Sequence, residues 1–286
     1  MGVSRGSGVK RVAIIGAGLL GGSVAAALRR QSDAPEIAAL ARSDASADRL
    51  GATGLFDVVA RSADSVCTGA DVVVIATPVD RIAAYVIEAA EHLVGDAFIT
   101  DVGSTKAGIV DAVAGTDAAS RFVPAHPIAG SERTGAANAE GDLFDDKVTI
   151  VTPMPGAEAG LIRRATEFWS SLGSSVVTMT PRDHDDALAA VSHVPHLIAS
   201  LVAATTPVEH GRLTGSGWRD ITRVAAGDPG MWAAIVDANR DAIADQLGTT
   251  RSELERLEKL VRGGDDAALT RWLAAAKTAR DRAVGV

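Results

Sequence analysis

From residue 11 onward, short β-branched apolar runs alternate with alanine-rich stretches whose apolar residues recur at helical spacing. The pattern predicts strands at 11–15, 37–41, 71–77, 97–101, 122–124, 148–152 and 175–178. Helices are predicted at 19–30, 81–93, 106–113 and 157–172, with a short one over 47–50 that ends at Gly51 or Gly54. Val72, Val73, Val74 and Ile75 form a continuous apolar run, the signature of a strand covered on both faces. Strand and helix in strict alternation predict a parallel, doubly wound α/β sheet.

The texture changes after Pro181, beyond which the pattern offers no strand. Leu188, Val191, Ile198, Leu201 and Val202 fall at helical spacing. Leu254, Leu257 and Val261 do the same behind Thr250 and Glu253, a capping-box pattern that predicts a helix start. Leu269, Trp272, Leu273 and Ala276 form a last amphipathic stripe. The expected organisation is an α/β domain over 1–181 followed by an all-α domain over 182–286.

Composition narrows the function. A net charge of −8 and 3% aromatic residues argue against a nucleic-acid partner, which calls for a basic face or stacking platforms. The single cysteine, Cys67, excludes an internal disulfide and a thiolate metal site, and it fits a reducing cytoplasm. Arg5, Lys10 and Arg11 ahead of the uncharged run 12–28 imitate a secretory leader, but Gly16, Gly18, Gly21 and Gly22 suit a turn better. No later segment reads as an uninterrupted apolar stretch of the ~20 residues that a membrane span needs.

Gly16-Ala17-Gly18-Leu19-Leu20-Gly21 matches G-x-G-x-x-G between a predicted strand and a predicted helix, the context that makes the motif a dinucleotide site. The second strand ends on Ala41-Arg42-Ser43 rather than on the acid that would accept from a ribose 2′-hydroxyl. Glu36, the nearest earlier acid, falls at the start of that strand. Arg42 and Ser43 suit a 2′-phosphate, so NADP is favoured, with NAD possible. Thr77 and Pro78 close the central strand and face the same crevice.

Ser104 stands at the next strand-to-helix junction, as helix N-cap or as substrate ligand. His126 follows the strand at 122–124, on a turn stiffened by Pro127 and Gly130. Asp101–Lys106, the segment His126–Glu132 and Ser192-His193-Val194-Pro195-His196, together with the glycine motif, resemble the prephenate/arogenate dehydrogenase family of tyrosine biosynthesis over residues 9–280. The resemblance implies a Rossmann domain, a helical dimerisation domain and a cytoplasmic homodimer. It implies oxidative decarboxylation of prephenate, a dicarboxylate, to 4-hydroxyphenylpyruvate. His126 would take the proton of the ring hydroxyl, with Ser104 beside it. Ser131, Glu132 and His196 would line the substrate side chain, Arg223 would hold a carboxylate, and Arg219 would reach a site, its own or the neighbour's.

No metal is expected, because no carboxylate spacing supports one around the three histidines. Two alternatives remain: arogenate in place of prephenate, and another Rossmann-plus-helical oxidoreductase such as a β-hydroxyacid dehydrogenase. The latter requires a helix-borne lysine, and 183–250 contains none.

Overall fold

The computed structural model describes residues 8–130, 133 and 135–285. The chain divides into two compact units, Met1–Arg240 and Asp241–Val286.

In the first unit, β1 (Arg11–Ile15) leads through a glycine turn into α1 (Leu19–Arg29). β2 (Glu36–Leu40), α2 (Asp44–Gly51), β3 (Val58–Ala60) and α3 (Ala63–Cys67) follow. Then come β4 (Val72–Ile75), α4 (Val79–Ala90), β5 (Phe98–Asp101), α5 (Ala107–Val113) and β6 (Phe122–Val123). The six strands form one sheet in the order β3-β2-β1-β4-β5-β6, every pairing parallel. The chain reverses its direction of winding between β1 and β4, and this switch point opens a crevice at the strand C-termini. Alternation explains the double cover. Val12 and Ile14 of β1 pack with Val24, Leu28 and Trp169 on one face, while Ala13 and Ile15 pack with Ile82, Val86 and Phe122 on the other.

Not every predicted strand joins this sheet. β7 (Ala125–Pro127), β8 (Val148–Val151) and β9 (Ser175–Thr178) make a second sheet, in which β7 runs antiparallel to β8. α6 (Ala159–Ser171) connects β8 to β9. His126 therefore sits in the middle of a strand paired with Ile150 rather than on the turn expected after residue 124. β3 and α3 are absent from the sequence-based expectation. They have only three and five residues, too few for a period to register. Cys67 is fully buried, and burial pushes its thiol up to about 12.

After β9, no described residue lies in a strand. α7 (Pro181–Leu188) begins on Thr180, whose hydroxyl accepts from the Asp183 amide, with Pro181 in the first turn. It continues through a π turn, Ala189–His193, into α8 (Val194–Thr205). This run of 25 residues is long and apolar enough to cross a membrane by length and composition, contrary to the expectation from sequence. It buries the side chains of His184, Asp185, His193 and His196. α9 (Ser216–Thr222) and α10 (Pro229–Ala238) complete the unit.

The second unit carries α11 (Arg240–Gly263) from Asp241 onward, and α12 (Asp266–Ala283). Thr250 lies in mid-helix and bonds back to the Gln246 carbonyl at 2.9 Å, so it is not the expected cap. Ten residues of α11, just under three turns, precede it and extend the helix N-terminally. Asp265 caps α12 by accepting from the Ala268 amide. Leu254, Val261 and Leu273 are more than half exposed, and no residue of α12 is buried.

One buried ion pair ties the two sheets of the first unit. The Lys106 ammonium, wholly buried, contacts the Asp101 carboxylate and donates to the Ala125 carbonyl at 2.9 Å. Asp101 also accepts from the Gly103 amide at 2.8 Å and from the Ala125 amide at 3.0 Å. Removing one partner leaves the other charge buried and alone, at a cost of ~3–5 kcal/mol. Lys106→Met is expected to lower unfolding stability by about that amount, as measured by urea denaturation, whereas Lys147→Met at a solvated position is expected to change it by under ~0.5 kcal/mol.

Candidate active site

The crevice begins at the glycine turn. Gly16 has φ +98°, and a Cβ there would lie 2.5 Å from the Ala76 carbonyl group. A Cβ on Gly21 would meet the Gly16 oxygen at 2.5 Å, so this glycine lets α1 close onto β1. Gly18 differs, because a Cβ there would meet no protein atom within 4 Å. Packing does not require that glycine. The space beside its backbone is open at the start of α1, where Leu19, Leu20 and Gly21 present first-turn amides, an arrangement suited to a pyrophosphate. Gly18 caps α1 without a side chain.

Arg42 is exposed beyond the end of β2. Ser43 accepts from the Ser46 amide as N-cap of α2, and the Ser46 hydroxyl reaches back to the Ser43 amide. Its Oγ–H is still able to donate. Glu36 begins β2 at the opposite end of the sheet and pairs with Arg11. Thr77 and Pro78 follow β4, and Pro78 is the N-cap of α4. The Thr77 hydroxyl oxygen is buried without a hydrogen-bond partner, an orphan at the ligand side of the central strand.

His126 projects from β7 at the far side of the same junction, half-buried. Its Nδ1 lies 2.9 Å from Nε2 of His184, and Nδ1 of His184 lies 2.7 Å from Oδ1 of Asp185. Asp185 accepts in addition from the amides of Lys106 at 2.7 Å and Ala107 at 2.8 Å. The carboxylate thereby takes the place of an anion at the start of α5. Lys106 rather than Ser104 is the N-cap residue there, so Ser104 keeps only the ligand role of its two expected ones. Burial, then the neighbouring His184, Lys106 and His193, hold the His126 imidazole well below its usual range, so it is neutral at physiological pH.

The helical run supplies the other wall. His196 stacks on Trp232, ring centroids 3.5 Å apart and planes 12° apart, and its buried Nδ1 has no partner. Burial lowers its imidazole too. His193 is held down to about 4, chiefly by burial. Its Nδ1 meets the Asn239 amide at 3.1 Å, while its buried Nε2 has no protein partner. Arg219 is exposed on α9, which stops at Thr222; Arg223 opens a 3-10 turn, Arg223–Ala226, so the two arginines span a helix junction instead of sharing one α-helix. Ser131 and Glu132 lie outside the described residues.

Sequence reasoning passed over His184, Asp185 and Asn239. The one available signal was a histidine and an aspartate next to each other in the first turns of a helix that must bury a face. Among the described residues, no cluster of three His, Cys, Asp or Glu side chains is placed to hold a metal.

Comparison with known proteins identifies the family. Residues 24–178 match the family model described as the nucleotide-binding domain of prephenate dehydrogenase, and residues 180–275 match that of its dimerization domain. The chain is 34% identical to a prephenate dehydrogenase of Bacillus subtilis over 94% of its length and 75% of the relative's. It is 30% identical to a cyclohexadienyl dehydrogenase of Zymomonas mobilis, over 90% of each chain. The structure superposes with a TM-score of 0.86 and 27% identity on a prephenate dehydrogenase from A. aeolicus in complex with hydroxyphenyl propionate and NAD+, covering 96% of this chain and 98% of the other.

Proposed function

The chain belongs to the prephenate dehydrogenase family, and on that premise we propose how its crevice oxidises and decarboxylates prephenate to 4-hydroxyphenylpyruvate. The observation that carries the mechanism is a neutral imidazole, His126, backed by two hydrogen-bonded residues and open on its other nitrogen. A nicotinamide dinucleotide held at the glycine turn supplies the hydride acceptor. As hydride leaves the ring carbon that bears the hydroxyl, the hydroxyl proton passes to Nε2 of His126. The ring carboxylate then leaves as CO2, and its bonding pair completes the aromatic ring. His126 returns the proton to the phenolate oxygen, so no net proton is released. Ser104 stands at the strand end beside this chemistry as a donor to the same oxygen.

The remaining assignments are proposals of the same reading. Arg223 binds a substrate carboxylate through its planar fork, and Arg219 assists it. His196, flattened on Trp232, contacts the substrate side chain together with Ser131 and Glu132. The domain boundary relevant to function is 181/182, the join of nucleotide site and helical part. NADP is the preferred cofactor, supported by Arg42 and Ser43 where an acid would select NAD. The enzyme works in the cytoplasm as a homodimer. The exposed Leu254, Val261 and Leu273, on helices that lack a core of their own, support pairing with a second copy.

His126→Asn is expected to lower kcat at least ~10²-fold with little change in KM, the scale of a lost general base; an unchanged kcat overturns the assignment. The pH profile follows from the lowered His126 basicity. Activity requires the neutral ring, so it is lost only as pH falls through a value below the ordinary 6.5, and kcat/KM is expected to stay flat from pH 8 down to that point. A limb centred at or above 6.5 contradicts the lowered basicity of His126. Arg42→Ala is expected to weaken NADP binding ~10-fold or more and to leave NAD within about twofold; equal losses would show that Arg42 does not read the 2′-phosphate. Sedimentation at assay concentration is expected to give a dimer, and a fully active monomer would remove that proposal.

A further inference from the structure

We infer that His184 and Asp185 are positioning residues which decide the tautomer of His126, keeping its proton on Nδ1 and presenting an unprotonated Nε2 to the substrate. The inference rests on the reading of His126 as the base.

With one proton on the His184 ring, each link has one chemical solution. An aspartate carboxylate only accepts, and Asp185 is locked in place by two backbone amides of α5, at 2.7 and 2.8 Å. The nitrogen that faces it, Nδ1 of His184, must therefore carry hydrogen. In a neutral ring the other nitrogen then has a lone pair, so Nε2 of His184 accepts. Its partner at 2.9 Å, Nδ1 of His126, must donate. The proton of neutral His126 is thus on Nδ1. The opposite tautomer would set two lone pairs against each other at that distance and offer a donor where the reaction needs an acceptor. When His126 takes up the substrate proton, its Nδ1–H still donates to Nε2 of His184, whose own Nδ1–H donates to the Asp185 carboxylate, so the charge is stabilised through the array.

Asp185 also orients a second histidine. Its carbonyl accepts from Nδ2 of Asn239 at 2.8 Å, and the same amide group meets Nδ1 of His193. His193 accordingly accepts at Nδ1 and carries its proton on Nε2, the reverse of His126. One aspartate thus gives the site an acceptor ring and a donor ring.

The test uses the full chain labelled with 15N-histidine, whose six histidines are assigned by single substitutions. Two-bond proton–nitrogen correlation spectra without ligand are expected to show His126 protonated at Nδ1 and His193 at Nε2. Asp185→Asn, whose amide can donate to His184, is expected to reverse or mix the His126 tautomer and to cut kcat ~10²-fold or more, with KM for prephenate within about threefold. His184→Leu is expected to lose kcat similarly. His184→Gln, whose Oε1 can accept from His126, is expected to regain at least ~10-fold over His184→Leu, a rescue that a merely structural role would not give. His126 protonated at Nε2 in the native protein, or His184→Leu with native kcat, overturns the inference. If Asp185→Asn does not fold, the native spectrum and the His184 pair still decide. Absence of prephenate turnover by the native chain with the expected tautomers would instead overturn the functional reading.

Discussion

A carboxylate taken out of water has to be met by a cation or by several N–H donors, because its desolvation costs several kcal/mol that only close partners return. Two aspartates in the first unit are in that position, Asp101 and Asp185, and Lys106 lies between them. The side chain of Lys106 answers Asp101, and its backbone amide answers Asp185. Through this one residue the end of β5, the start of β7, the first turn of α5 and the helix α7 are held in a single hydrogen-bonded cluster. The parallel sheet would form without it, since its core is apolar. The relation of the sheet to His126 would not be defined, because β7 contributes only three residues to a short second sheet.

The same dryness sets the chemistry. Burial removes water from His126, His193 and His196 and pushes all three toward the neutral form. A neutral ring is either donor or acceptor at a given nitrogen, never both, so its usefulness depends on which tautomer it holds. The partners behind the rings are therefore as much a part of the site as the rings. The π turn at Ala189–His193 belongs to this arrangement, for it widens the helix where it carries His193, three residues before His196.

How much of this was legible follows from what each feature leaves in a sequence. The glycine turn is local: six residues, a strand before and a helix after, each with its own period. Gly16 and Gly21 are required by contacts within the fold, and Gly18 by none, a distinction that only coordinates reveal. His126 was recognisable from its segment, but its strand was not, since β7 is too short to show alternation. His184 and Asp185 lie about 60 and 80 residues from the groups they serve, His126 and Lys106. No spacing rule spans that separation. The capping box read at Thr250 failed for a related reason: a threonine and a glutamate three apart also occur inside a long helix, where the threonine bonds back to the preceding turn.

Electrostatics then divides the labour of recognition. The chain carries a net charge of −8, so nothing in its overall field attracts a doubly negative substrate or a phosphorylated cofactor. The buried histidines cannot attract them either, because they are neutral. Lys106 has its charge matched by Asp101 and is fully enclosed. Surface arginines keep their charge without a desolvation cost, and Arg42, Arg219 and Arg223 are all exposed. On the proposed reading, the interior supplies an oriented neutral base and the rim supplies charge. A further cation beside His126 would add to the lowering that Lys106 already contributes and weaken the ring as a proton acceptor.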